Sequence, residues 1–274
     1  MFTPEERQLM NHQFGLSFEP HPSPIATFKL IDLFEDAPMQ QLIDVYNSLI
    51  KGLEPSVGAM YFTSSIIMFS AALHYMVAKH PQAIDFAPER FSAEVVFIDG
   101  QYSYYTVRFR VDKAVPVDIR QQEEHRIEQR NELFARLYSK TIRPMIESLH
   151  RVTGTPLVQM WGSFPRITYT YEHLIAQEQD EVLRKRLEDD YSYIKEDMPA
   201  DAFGMKRNPY RHKYTLLDNP YNPDEPYKMK PTCCMFYRTE EGYYCYTCPR
   251  LKPKDREERR QKILADLALQ QANG

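Results

Sequence analysis

Four cysteines lie within the stretch PTCCMFYRTEEGYYCYTCPR, Pro231 to Arg250, and the rest of the 274-residue chain has none. They are Cys233, Cys234, Cys245 and Cys248, in the spacing Cys-Cys-x10-Cys-x2-Cys. Thiols gathered this closely have four chemical uses: two disulfides, a set of buried apolar thiols, a structural zinc ion, or an iron–sulfur cluster. Disulfides suit small secreted domains better than a chain long enough to bury its own core. Free cysteines do pack as small hydrophobes, but chance does not readily place all four together. Zinc prefers two C-x(2-4)-C knuckles around one tetrahedral centre. Cys245-Tyr-Thr-Cys248 fits one knuckle. The adjacent Cys233 and Cys234 do not fit the other, because neighbouring side chains splay apart. A [2Fe–2S] cluster also takes four thiolates, spread over a larger body, which relaxes the demand on the adjacent pair.

The surroundings suit a cluster. Met235, Phe236, Tyr243, Tyr244 and Tyr246 are placed to shield inorganic sulfide from water, and shielding helps set a potential. Arg250, Lys252, Lys254, Arg256, Arg259 and Arg260 follow at once. They read either as charge compensation or as the solvated start of a helix, since Asp255, Glu257 and Glu258 are interleaved. Arg250, Lys252, Arg256 and Arg259 are also candidates for docking an acidic partner.

The Cys-Cys-x10-Cys-x2-Cys pattern, near the C-terminus of a chain of this length, resembles the FhuF family of ferric siderophore reductases. In that family the spacing holds a [2Fe–2S] cluster, and the motif residues here are Cys233, Cys234, Cys245 and Cys248. The helix-rich remainder, with its VQMWGSFPR stretch, is broadly similar to the family's N-terminal region. The same region resembles the C-terminal part of siderophore synthetases. The resemblance implies an oxidoreductase acting on metal ions, with one-electron outer-sphere transfer to a ferric siderophore, hydroxamate or hydroxamate–citrate being favoured. Two other functions stay open: an iron–sulfur electron carrier or sensor without a chelate pocket, and a zinc-stapled, non-redox, synthetase-like protein.

Other classes fit less well. The nine glycines are too far apart for G-x-G-x-x-G, and none precedes a Lys-[Ser/Thr] pair, so the usual loops for a dinucleotide or ATP are missing. Electrons are therefore expected from an external ferredoxin, flavodoxin or their reductase. A net charge of −4 and a pI near 6.1 argue against nucleic-acid binding. The N-terminus does not read as a secretory signal, and the clustered thiols point to a cytoplasmic protein. Tyrosine is abundant at 19 residues, and Trp161, Arg166, Tyr169 and Tyr171 are candidates for a chelate pocket that is partly apolar and partly hydrogen-bonding. Glu147-Ser-Leu-His150 has di-iron spacing but no second copy, and reads as surface.

The expected fold class is α+β: a helix-rich domain over residues 1–225 with an antiparallel β-hairpin, then a small iron–sulfur segment and closing helix over 226–274. The first 37 residues read as loop with short helices. A helix is expected from Pro38 to Gly52. Gly58 to Ala78 is uncharged and long enough to cross a bilayer, but its Thr63, Ser64, Ser65, Ser70, Tyr61, Tyr75 and His74 favour a buried core helix with His74 as a satisfied core histidine, and no membrane span. Phe91 to Asp112 reads as a hairpin turning at Asp99-Gly100. Asp118 is expected to cap a helix running to His150, its first half, QQEEHRIEQRNE, solvated. Helix is expected again over 156–195, an extended surface linker over 209–231, and a closing helix over 255–271.

Overall fold

The computed structural model describes residues 2–273. In chain order the elements are α1 (Pro4–Phe14), β1 (Leu16–Ser17), β2 (Ala26–Lys29), α2 (Asp36–Leu49), α3 (Pro55–Lys79), β3 (Gln82–Ile84), β4 (Phe91–Ile98), β5 (Tyr104–Val111) and β6 (Pro116–Asp118). Then follow α4 (Glu123–Leu137), α5 (Arg143–Thr153), α6 (Leu157–Trp161), α7 (Ile167–Gln177), α8 (Glu181–Ser192), β7 (Leu216–Leu217), β8 (Tyr227–Lys228) and α9 (Pro253–Asn273). The fold is α+β, with a four-stranded sheet in the order β1-β5-β4-β2.

The hairpin forms as its alternation requires. Val107 and Phe109 point into the core while Arg110 joins Glu94 and Asp112 on the other face. Ile98 pairs with Tyr104, so the connection is the five-residue loop 99–103 rather than a two-residue turn at Asp99-Gly100, and Ser103 donates to the Asp99 carboxylate at 2.9 Å. The N-terminal stretch is more ordered than expected. α1 has a capping box between Thr3 and Glu6 and ends at Gly15 with φ of 64°, a left-handed position that glycine takes without strain. Gly15 turns the chain so that β1 lies parallel to β5, and β2 pairs antiparallel to β4.

α3 runs through the centre. It is long and apolar enough to cross a membrane, but 72% of its most apolar window is buried inside the fold, as expected of a core helix. Thr63 and Ser70 return their hydroxyls to the carbonyls of Ala59 and Ile67, so these two are satisfied within the helix. His74 is only half satisfied. Its Nε2 meets the Tyr138 hydroxyl at 3.3 Å, while Nδ1 has no partner. Burial pulls its pKa down to about 3, with help from the Arg130 charge, so the ring is neutral.

The long helix begins later than expected. Asp118 closes strand β6 and accepts from Gln82, and α4 starts from Gln122. A π-turn over Tyr138–Ile142 joins α4 to α5, and the Tyr138 hydroxyl there meets that of Tyr210 at 2.5 Å. Tyr210 is thus core, although it opens the segment expected to be a surface linker. The face of α4 expected to be solvated carries Arg126, which is fully buried, and Arg130, nearly so. Both guanidiniums contact the buried carboxylate of Asp190 on α8, Arg126 at 3.1–3.2 Å and Arg130 at 2.8 Å. Burial pushes the Asp190 pKa upward against these two charges. Polar sequence at helical spacing gave no sign of a partner so far along the chain. Removing one member of such a group leaves uncompensated buried charge. Asp190→Asn is expected to lower the unfolding free energy by about 3–5 kcal/mol in urea titrations followed by helix signal, and a loss under about 1 kcal/mol would contradict this triad as a keystone of the helical layer.

Candidate metal centre

The segment from Pro231 to Arg250 folds back on the body through short backbone pairings: Gly52 bridges Thr239, Leu53 donates to the Arg238 carbonyl, and Glu240 donates to that of Lys51. Within it the four cysteines are free of disulfides. They form an inner and an outer pair. Cys233 and Cys248 are buried, with sulfurs 3.8 Å apart. Cys234 and Cys245 are half-buried, and both sulfurs lie against Lys230 Nζ, at 3.7 and 3.2 Å. Interaction between these two thiols pulls the Cys245 pKa down to about 6 and pushes that of Cys234 up to about 12. Burial raises the Cys248 pKa.

The pairing follows from the backbone. Cys233 is buried, while its neighbour Cys234 is half-buried and lines a cavity. Met235 then takes a left-handed φ of 64°, uncommon for a residue with a Cβ, and starts the turn Phe236–Arg238. Gly242 sits tight against this turn: an added Cβ would overlap the Phe236 carbonyl oxygen. The return strand brings Cys245 to the outer side. A tight turn, in which Cys248 donates its backbone N–H to the Cys245 carbonyl at 3.0 Å, carries Cys248 to the inner side.

The donor set fits a two-metal cluster. Two thiolates on one tetrahedral centre, with bonds of about 2.3 Å, stand about 3.8 Å apart, which is the inner-pair separation. Among the described residues no group of three or more His, Cys, Asp or Glu side chains is gathered as a metal site, which bears equally on zinc and on a cluster. Aromatic rings surround the pairs: Tyr237 stacks on Tyr244 at 4.5 Å, and Phe236 meets Tyr243 edge-on at 5.1 Å. Lys230, which the sequence did not single out, places Nζ 3.2 Å from the Cys245 sulfur and 3.7 Å from that of Cys234. Burial works against its ammonium, but the charges of Cys234 and Cys245 outweigh that and raise its pKa.

Much of the basic run is tied to this loop. Arg256 donates to the carbonyls of Cys248 at 2.8 Å, Leu251 at 3.1 Å and Tyr246 at 3.1 Å. Arg259 donates to the Tyr244 carbonyl and lies over the Tyr243 ring. Arg250 donates to the Tyr237 hydroxyl at 2.6 Å. Of the four, Lys252 alone extends into solvent without such a tie among the described residues. Two of the four expected chelate contacts also change role. Trp161, 1% exposed, packs on Phe164 and Phe203, and Tyr171, 2% exposed, stacks on Tyr191. Both are core, as bulky aromatics at helical spacing commonly are, so neither can touch a ligand. Tyr169 is exposed and donates to the Lys228 carbonyl. Arg166 lines a cavity of about 520 Å³ together with Tyr61, Arg108, Lys230, Cys234 and Phe236. Glu147 is held by Arg143, and His150 contacts the Thr155 carbonyl.

Comparison with protein-family models, with curated proteins and with solved structures finds no match for this chain.

The three carbonyls held by Arg256 give it a measurable weight, since hydrogen bonds from a charged donor contribute about 1.5–3 kcal/mol each. Arg256→Ala is expected to lower stability by about 2 kcal/mol and to hasten proteolytic cleavage between Tyr243 and Leu251, whereas Lys252→Ala changes neither. Equal behaviour of the two variants would remove the clamp.

Proposed function

We propose that this chain is a ferric siderophore reductase whose four cysteines hold a [2Fe–2S] cluster. The observation that carries the reading is the sorting of the thiols into an inner and an outer pair, with the outer pair's Cys234 opening onto a cavity. Adjacent cysteines of unequal burial suit two metals better than one. When bound, the cluster would supply a one-electron couple able to reduce Fe(III) held by hard oxygen donors to the far more weakly held Fe(II).

The chain's own residues would hold, shield and charge-balance. Cys233 and Cys248 anchor the buried side. Cys234 and Cys245 hold the side toward the cavity, where an electron has the shortest way out. Lys230 offsets thiolate charge at the outer pair, and the rings of Tyr237, Tyr244, Phe236 and Tyr243 exclude water from the loop. No nucleophile and no general base is required. Each ~59 mV of driving force shifts a one-electron equilibrium tenfold, so capture of released Fe(II) can pull an uphill transfer forward. Reduced thiols suit the cytoplasm. The electron donor is a separate ferredoxin, flavodoxin or their reductase, because no glycine-rich dinucleotide loop is present in the sequence.

Anaerobic mixing of the dithionite-reduced protein with ferric hydroxamate and hydroxamate–citrate chelates tests this. The visible cluster spectrum is expected to return to its oxidised form as a ferrous-specific chelator develops colour, one Fe(II) per electron. NADPH alone is expected to leave the oxidised spectrum unchanged. Failure of every ferric chelate to reoxidise the protein would overturn the reductase reading, and rapid reduction by NADPH alone would overturn the external donor.

A further inference from the structure

Arg108, Arg166 and Lys230 come from distant parts of the chain and meet in the cavity that takes in Cys234. No aspartate or glutamate lines it. Each cation is half-buried, and each is positioned by a group other than a carboxylate. Arg108 on β5 donates from Nη1 to the Asn11 amide oxygen at 3.0 Å. Arg166 donates from Nη1 to the Ser64 hydroxyl at 3.0 Å. Lys230 rests against the outer thiols. The contrast within one strand is sharp: two residues beyond Arg108, Arg110 is neutralised by Glu94 at 2.6 Å and by Asp112. Neutral partners fix a guanidinium without cancelling its charge. Two guanidiniums held this way beside the Lys230 ammonium, partly out of water, are costly unless something anionic joins them, and prepositioned charge of one sign is how proteins bind the opposite sign.

The rest of the lining suits an oxygen-rich ligand of moderate size. Tyr61, Ser64, Ser65 and Thr106 present hydroxyls, Tyr46 and Phe236 present rings, and about 520 Å³ falls within the usual range for small-molecule pockets. Compensation of the thiolates explains Lys230 alone. Arg108 reaches the cavity from the sheet and Arg166 from the turn before α7, so the cationic lining extends past the cysteines.

We infer that this cavity binds the ferric chelate through its anionic oxygen groups, and so selects chelates carrying carboxylate or catecholate charge over neutral or cationic trihydroxamates. The iron in the ligand rests on the reductase reading above; the preference for an anionic oxygen chelate rests on the three cations. Arg108 and Arg166 hold the ligand's charge. Lys230 stands between the ligand and the outer thiols and weakens the repulsion between two negative groups brought close together.

The test uses redox-inert gallium(III) complexes, so that binding is read without electron transfer. Calorimetric titration of the cluster-loaded protein compares Ga(III) hydroxamate–citrate, Ga(III) tris-catecholate and Ga(III) trihydroxamate, with wild type, Arg108→Gln and Arg166→Gln. At least one anionic complex is expected to bind tenfold or more tightly than the trihydroxamate, and the two anionic arms identify which group is recognised. Each substitution is expected to weaken that complex about tenfold, or ~1.4 kcal/mol, and to leave the trihydroxamate unaffected. Arg108→Lys, which keeps the charge, should recover part of the loss, and an unaltered visible cluster spectrum certifies each variant as folded. Equal binding of all three complexes, or unchanged binding in both glutamine variants, would overturn the inference. Anionic gallium complexes that bind as expected while their iron counterparts fail to reoxidise the reduced protein would sustain the inference and sink the reductase reading. Reoxidation indifferent to chelate charge and to both arginines would do the reverse.

Discussion

The two adjacent cysteines differ in burial, and the C-terminal segment is built around that difference. Cys233 is buried and Cys234 is half-buried at the edge of a cavity. The chain must return so as to present one further thiol on each side. The left-handed turn at Met235 reverses it, the close approach at Gly242 keeps the reversal tight, and the Cys245–Cys248 turn splits the second pair as the first is split. A left-handed methionine costs about 1 kcal/mol, and its buried side chain offsets this. Strain of this kind is tolerated where the surroundings over-determine it. Here the surroundings are the aromatic stacks and the arginines of α9.

Charge organises the rest of the site. Thiolates near one another repel, and each exposed carbonyl of a tight loop adds partial negative charge. Lys230 addresses the first and Arg256 with Arg259 the second. The closing helix is therefore part of the centre, its first turns locked to the carbonyls of Tyr244, Tyr246, Cys248 and Leu251. On the side of the body, the sheet and α3 supply the opposing wall with Arg108, Tyr61 and Ser64. That wall stands on the buried α3, and support from packed elements is what a preorganised site needs.

Local pattern made some of this legible in the sequence and long-range pairing hid the rest. The alternation of Val107, Phe109 and Val111 announced β5, and the uncharged run from Gly58 announced α3, because both are periodic within one element. β1 and β2 are too short to show a period. Arg126 and Arg130 looked solvated because their partner lies more than fifty residues away on another helix. Trp161 and Tyr171 drew attention by type, yet type does not distinguish a pocket ring from a core ring. The cysteine spacing named the four thiols but not their pairing, which needed the turn at Met235. Arg108 and Lys230 carried no local signal: Arg108 reads as one more cation on the charged face of β5, and Lys230 as one more lysine before the cysteines.

The central claim is that four thiols in two opposed pairs hold two irons rather than one metal. It is tested most directly by counting iron, zinc and acid-labile sulfide per chain in protein purified without air and, in parallel, reconstituted with iron and sulfide. The account predicts about two irons and two sulfides per chain with little zinc. One tightly held zinc per chain and no sulfide, in both preparations, would contradict it.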